Sequence, residues 1–134
     1  MVSTSGAHLL PEDAVNVLVD ELLPLTTILT PNLPEAKLIL EVAGKKVDQP
    51  KTIDDIIAMA RAIKALGPKY VLLKGGHLPL TKDRLVSEEQ ATHHIVFNVL
   101  CDKERVLTFE SDYIESRNTH GTGCSLACKS LVSF

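Results

Sequence analysis

The hydrophobic positions fall into blocks of two different periods. In LLPEDAVNVLVDELLPL, Ala14, Val17, Leu18 and Leu22 recur at helical spacing; Pro11, Glu12 and Asp13 suit a first turn, and Pro24 ends the segment. TTILTPN is a β-branched run stopped by Pro31, the mark of a buried strand entering a turn. LPEAKLILEVAG predicts a second helix, with Pro34 at its start and Gly44 past its end. TIDDIIAMARAIKALGP predicts a third. Thr52 caps it and Asp55 completes a capping box, while Ile53, Ile56, Ile57, Ala60 and Ile63 share one face. Gly67 and Pro68 supply its stop. YVLLKGG follows as a continuous apolar run, the pattern of a strand covered on both faces.

Residues 77–94 are polar and charged and predict a surface loop. IVFNVLCD and RVLTFES meet across a charged turn and predict a hairpin. SLACKSLVSF predicts a closing helix after the glycine-containing stretch NTHGTGC. The order helix, strand, helix, helix, strand is the rhythm of an α/β protein with a parallel sheet.

Composition narrows the function. The 134 residues are 45% hydrophobic, enough for one domain over 1–134 with its own core. A net charge of −3, 4% aromatics and no tryptophan argue against nucleic acid as a partner. The start, MVSTSGAHLL, has no signal-peptide pattern, and no apolar run reaches the roughly 18 residues of a membrane span. Cys101, Cys124 and Cys128 stand at no disulfide-framework or zinc-ribbon spacing, so a reducing, cytoplasmic setting is expected.

In an α/β sheet, ligands sit where strands end and helices begin. TPNLPE, KGGH and GTGCS all have that placement. Gly121 and Gly123 let the backbone approach a ligand, and the amides from Gly121 through Thr122 to Cys124 can form an anion hole. The plainer reading is a glycine turn that opens a helix. Cys124 falls in that helix's first turn, where its thiolate is favoured; otherwise it is a small buried residue. Asn32 and Glu35 stand at N-x-x-E spacing, either as a ligand-facing pair with Glu35 on magnesium or as a helix cap alone. Lys74, beside Gly75 and Gly76 at a strand end, either contacts phosphate or snorkels to water. His93 and His94 point opposite ways in extended chain, a poor metal pair. The Walker lysine motif is absent.

Taken together, MVSTSGAHLL, LLPLTTILTPNLPEA, LGPKYVLLKGGHL and NTHGTGCSLA resemble, in order and spacing, the hydroxymethylpyrimidine/phosphomethylpyrimidine kinases of thiamine biosynthesis, members of the ribokinase-like superfamily. The resemblance implies ATP-dependent phosphorylation of a small pyrimidine and then of its monophosphate, with magnesium. It gives Gly121, Thr122 and Gly123 the transferring phosphoryl group and Cys124 the general-base position. Lys74, Gly75 and Gly76 would lie along the nucleotide, with Asn32 and Glu35 on metal and phosphate.

The fold implied is the C-terminal part of a three-layer α/β/α domain with a mostly parallel sheet and an edge hairpin. The family's glycine-rich first strand and most of its pyrimidine pocket have no counterpart, and Asn98-Val99-Leu100 stands where the family commonly reads Asp-Val-Leu. The chain alone is therefore expected to be inactive, with an uncovered apolar sheet face that favours self-association. A pyridoxal kinase-like activity and a non-catalytic nucleotide- or partner-binding relative are the alternatives.

Overall fold

The computed structural model describes residues 12–81, 85–86 and 93–112. Helix α1 (Glu12–Val17) runs into a π-helical stretch, Leu18–Leu22, and a 3₁₀ turn, Leu23–Leu25. The buried positions are Val15, Val19 and Leu23, four apart, while Val17 and Leu22 are about half exposed. This corrects the face expected from Ala14, Val17, Leu18 and Leu22. A π-helical turn holds more residues than an α-turn, so it carries every fourth residue, rather than a 3.6-residue average, back to the same side.

Strand β1 is only Ile28–Leu29. Helix α2 (Leu33–Val42) buries Ala36, Ile39 and Leu40, and helix α3 (Ile53–Lys64) buries Ile56, Met59, Ala60 and Ile63. The expected face of α3 is found, with Met59 added and Ile53 and Ile57 at its half-buried margins. Helix α3 opens on the expected capping box, and at α2 the cap expected of Asn32 is a full box with Glu35.

Among the described residues one sheet runs in the order β1, β2 (Tyr70–Leu80), β3 (His93–Cys101), β4 (Val106–Asp112). β1 pairs with β2 in parallel, joined through α2 and α3; β2–β3 and β3–β4 are antiparallel. The described sheet is thus mixed, its parallel part confined to β1–β2. The predicted β3–β4 hairpin is present. Its turn is held by Asp102, whose carboxylate accepts the N–H groups of Glu104 and Arg105 at 2.8 and 2.7 Å, contacts that keep its pKa below the ordinary carboxylate value.

The loop expected over 77–94 is corrected at both ends. His77–Leu80 continue β2 and His93–His94 open β3, with Leu78, Pro79 and Leu80 buried. The reason lies in the register. Lys74 faces Asn98 and Gly76 faces Phe97, so Gly75 is an extra residue in β2. Strand side chains alternate with a period of two, and an inserted residue flips that alternation. Val71 and Leu73 before the bulge, and Leu78 and Leu80 after it, therefore all enter one core. YVLLKGG alternates as well: Val71 and Leu73 are fully buried, Leu72 and Lys74 only partly, so the both-faces expectation is corrected to a single fully covered face.

That covered face packs Val71, Leu73, Ile95, Phe97, Val99 and Cys101 against α2 and α3. A second cluster, Val19, Leu23 and Ile39, fastens the N-terminal helical segment to the outer side of α2. On the far face Leu107 and Phe109 of β4 are about half exposed. Burial pushes the thiol pKa of Cys101 up, as expected of a cysteine that serves as core.

Candidate active site

The site is built from two chain segments that the parallel pairing lays side by side. The Tyr70 N–H donates to the Thr27 carbonyl at 2.8 Å, and the Lys74 N–H donates to the Pro31 carbonyl at 2.8 Å. Between them β1 ends, Pro31 is buried, and the chain turns into α2. Asn32 then bridges Lys74 in parallel register. The end of β1 and the start of α2 thereby lie beside Lys74, the end-of-strand placement in which α/β sheets hold ligands, although Lys74 itself is within β2 and not at its expected end, because β2 runs on to Leu80.

Asn32 and Glu35 close a reciprocal cap. The Asn32 side-chain oxygen accepts the Glu35 N–H at 2.8 Å, and Glu35 Oε2 accepts the Asn32 N–H at 3.0 Å. Both residues are half-buried. The cap reading is therefore correct, and it leaves chemistry to spare: Glu35 Oε1 takes no hydrogen bond from a described residue. The carboxylate also sits in the first turn of α2, where the helix dipole favours negative charge.

Lys74 is half-buried on the face of β2 opposite α2 and α3, and it forms no ion pair with a described residue. The glycines after it answer to geometry. A Cβ on Gly75 would lie 2.5 Å from the Phe97 carbonyl oxygen, so only glycine fits between the strands there. Gly76 has φ +66°, the left-handed region, and is exposed with open space beside it. The bulge thus presents bare backbone next to a cation.

Of the sequence-predicted residues, Asn32, capped with Glu35, is set beside the backbone of Lys74, which Gly75 and Gly76 follow, while the Lys74 side chain lies on the sheet face away from α2. Gly121, Thr122, Gly123 and Cys124 lie outside the described residues. Asn98 was missed as a site neighbour. It faces Lys74 directly across the β2–β3 ladder, a relation legible only through strand register.

No group of three or more His, Cys, Asp or Glu side chains gathers among the described residues, so a cation here would need ligands beyond those described. A cavity of about 760 Å³ among them is an open groove at the other end of α2, lined by Lys45, Lys46, Lys51 and Met59 among others. It contains none of the predicted site residues, and its mixed charge and openness give no reason to move the site there. Among the described residues no helix is long and apolar enough to cross a membrane.

Residues 1–130 match the phosphomethylpyrimidine kinase family. The chain is 38% identical over 129 residues to the hydroxymethylpyrimidine/phosphomethylpyrimidine kinase of Rhizobium meliloti, covering 95% of this chain and 41% of that protein. Two solved structures share its fold at 34% identity. The ADP complex of Bacillus subtilis pyridoxal kinase superposes with a TM-score of 0.68, over 95% of this chain and 42% of that one. The phosphomethylpyrimidine kinase of Clostridium difficile 630 superposes with 0.58, over 83% and 39%. The chain thus spans about two fifths of these relatives. The α/β fold anticipated as ribokinase-like is the fold of these vitamin kinases, and with its matching sequence the chain belongs to the phosphomethylpyrimidine kinase family.

Proposed function

We propose that the chain forms the nucleotide- and metal-facing part of an ATP-dependent kinase for hydroxymethylpyrimidine and its monophosphate. The observation that carries this reading is the bridge from Asn32 to Lys74, which sets an acidic helix start beside a lysine within β2 and the exposed backbone of Gly76. In this reading Lys74, Gly75 and Gly76 lie along the nucleotide phosphates, and Asn32 and Glu35 face metal and phosphate. Magnesium commonly binds through one or two carboxylates plus substrate phosphates and water, so Glu35 with its second oxygen suits such a site. When bound, the metal would supply charge neutralisation on the phosphates.

The amides of Gly121, Thr122 and Gly123 would receive the transferring phosphoryl group. Cys124 would accept the proton of the acceptor hydroxyl as that oxygen bonds to phosphorus and the bond to the ADP oxygen breaks. The free, buried Cys101 is compatible with the reducing cytoplasm in which such a thiolate would persist.

The test has two arms. In a chain extended with the remaining portion of the Rhizobium meliloti relative, Cys124→Ala is expected to lower turnover by about two to four orders of magnitude, the worth of a general base. Undiminished turnover would remove the thiol from the mechanism. The 134-residue chain alone, given ATP, magnesium and hydroxymethylpyrimidine, is expected to show no phosphorylated pyrimidine, because an unheld acceptor loses the benefit of orientation. Repeated turnover would overturn that. Sedimentation of the same sample tests the self-association expected from exposed Leu107 and Phe109. A pyridoxal acceptor is the second reading, favoured by the likeness to the Bacillus subtilis enzyme. Competition between the two acceptors in the extended chain decides between them.

A further inference from the structure

Positive charge is concentrated away from the candidate active site, at the start of β2. Cys101 stands opposite Val71, so the turn over 102–105 lies beyond the first residues of β2, where α3 has ended and Lys69 leads into the strand. Two open clefts adjoin there, of about 440 and 410 Å³, and they share Lys64 and the hairpin turn. Arg61, Lys64, Lys69, Lys103 and Arg105 line them. Lys74 is four residues further along β2 than Tyr70, roughly 13 Å in extended chain.

Five of the chain's 14 lysines and arginines therefore meet only two of its 17 acids, Asp102 and Glu104. The clefts carry an excess of three positive charges on a chain whose net charge is −3. Asp102 is already committed: it accepts the Glu104 and Arg105 N–H groups and pairs with the Arg105 guanidinium at 3.3 Å. Arg61, Lys64, Lys69 and Lys103 form no ion pair with a described residue. Arg61 and Lys64 suit the negative end of the α3 dipole. That reason does not extend to Lys69, Lys103 and Arg105, which come from the loop before β2 and from the hairpin. Like charges gathered without counter-charges repel, so a ligand that brings carboxylates relieves a cost of the folded chain.

The surface narrows the kind of anion. Arg61, Lys69, Lys103 and Arg105 are exposed, and a single exposed pair gains little in water. A small anion meets one or two of these cations, whereas a longer segment meets several at once and adds their attractions. Nucleic acid fits less well, because Asp102 and Glu104 stand among the cations and would face its closely spaced phosphates. A peptide can set carboxylates against the cations and a donor against Glu104.

We propose that this hairpin end of the sheet is a docking surface for an acidic segment of a partner protein, held by Arg61, Lys64, Lys69 and Lys103. Docking there leaves the edge where Asn32 lies beside Lys74 open, so the inference stands apart from the nucleotide reading.

The probe is a short fluorescent peptide of alternating glutamate and serine, titrated with the 134-residue chain at physiological salt, about 0.15 M. Anisotropy is expected to show binding that weakens about tenfold when Lys69→Glu and Lys103→Glu are combined, the effect of reversing two exposed charges. Both side chains are exposed, so the core is spared. Lys64→Gln stands in if that variant does not fold, with a loss of about threefold expected. Lys45→Glu with Lys46→Glu, a basic pair at the groove beyond α2, is expected to leave affinity within about twofold. No binding at this salt, an equal loss from the Lys45 and Lys46 changes, or equal affinity for a neutral glutamine–serine peptide overturns the inference. So does a DNA oligonucleotide of the same charge that binds as tightly, which would assign the surface to nucleic acid instead.

Discussion

Two helices of this protein begin with the same device, and only one of the two beginnings lies in the candidate site. Helix α2 opens on Asn32 and Glu35, helix α3 on Thr52 and Asp55, each a complete reciprocal capping box. At α3 both the Lys51 and the Thr52 N–H donate to Asp55 Oδ2 at 2.9 Å, and the box is exposed or half-exposed. At α2 the box is half-buried, follows a parallel strand, and abuts Lys74. The local chemistry is nearly identical. The difference is what the sheet brings alongside, so a capping motif becomes a candidate ligand contact only through its neighbour.

The comparison can be broken most forcefully at the bulge. Gly75→Ala is expected to destabilise the fold by about 2 kcal/mol, since the added Cβ meets a backbone oxygen that cannot swing away. Urea midpoints measure it; an unchanged midpoint would mean the β2–β3 register is not held as described. Next comes the metal. Glu35→Gln is expected to weaken magnesium-dependent ADP binding about tenfold, whereas Asp55→Asn leaves it unaltered. Equal responses would make the two boxes functionally alike.

The caps themselves should be matched. Asn32→Ala and Thr52→Ala are each expected to cost about 1 kcal/mol of stability. Only the first should also alter ADP affinity, and circular dichroism with calorimetry on both variants separates the two effects.

The smallest effect concerns acid. The hydrogen bonds from Lys51 N–H and then from Thr52 hold the Asp55 pKa below its ordinary 3.8. The unfolded chain therefore binds the proton more readily. The contribution of Asp55 is whole above pH 3.8 and is lost as pH falls below it through the folded value. Asp55→Asn should flatten the stability profile slightly in that range, with no change at pH 7 in its slope. A profile unaltered by the substitution would show that this exposed box carries no linkage.

Much of this was legible from the chain alone. Both boxes are contacts between residues three apart, so Asn32–Glu35 and Thr52–Asp55 follow from spacing. The KGG stretch was expected at a strand end; the structure sets Lys74 beside Asn32, but within β2, which runs on to Leu80. The misread parts share a cause. The face of α1 turned on a π-helical stretch, and His77–Leu80 were assigned to a loop with the polar and charged residues 77–94 as a whole. Asn98 stood out only as a departure from the family's Asp-Val-Leu, because its relation to Lys74 exists only across a ladder.

The sequence by itself determined the helix starts, the hairpin, the α/β class and the family, because these depend on local hydrogen bonds, side-chain periodicity and an ordered set of short motifs. Tertiary structure alone decided which of two equal caps lies beside β2 at Lys74, that β2 continues past its glycines, and which residue stands opposite Lys74. Those outcomes depend on strand register. One inserted residue, Gly75, reverses which side chains enter the core, and no local propensity records the partner against which that residue is counted.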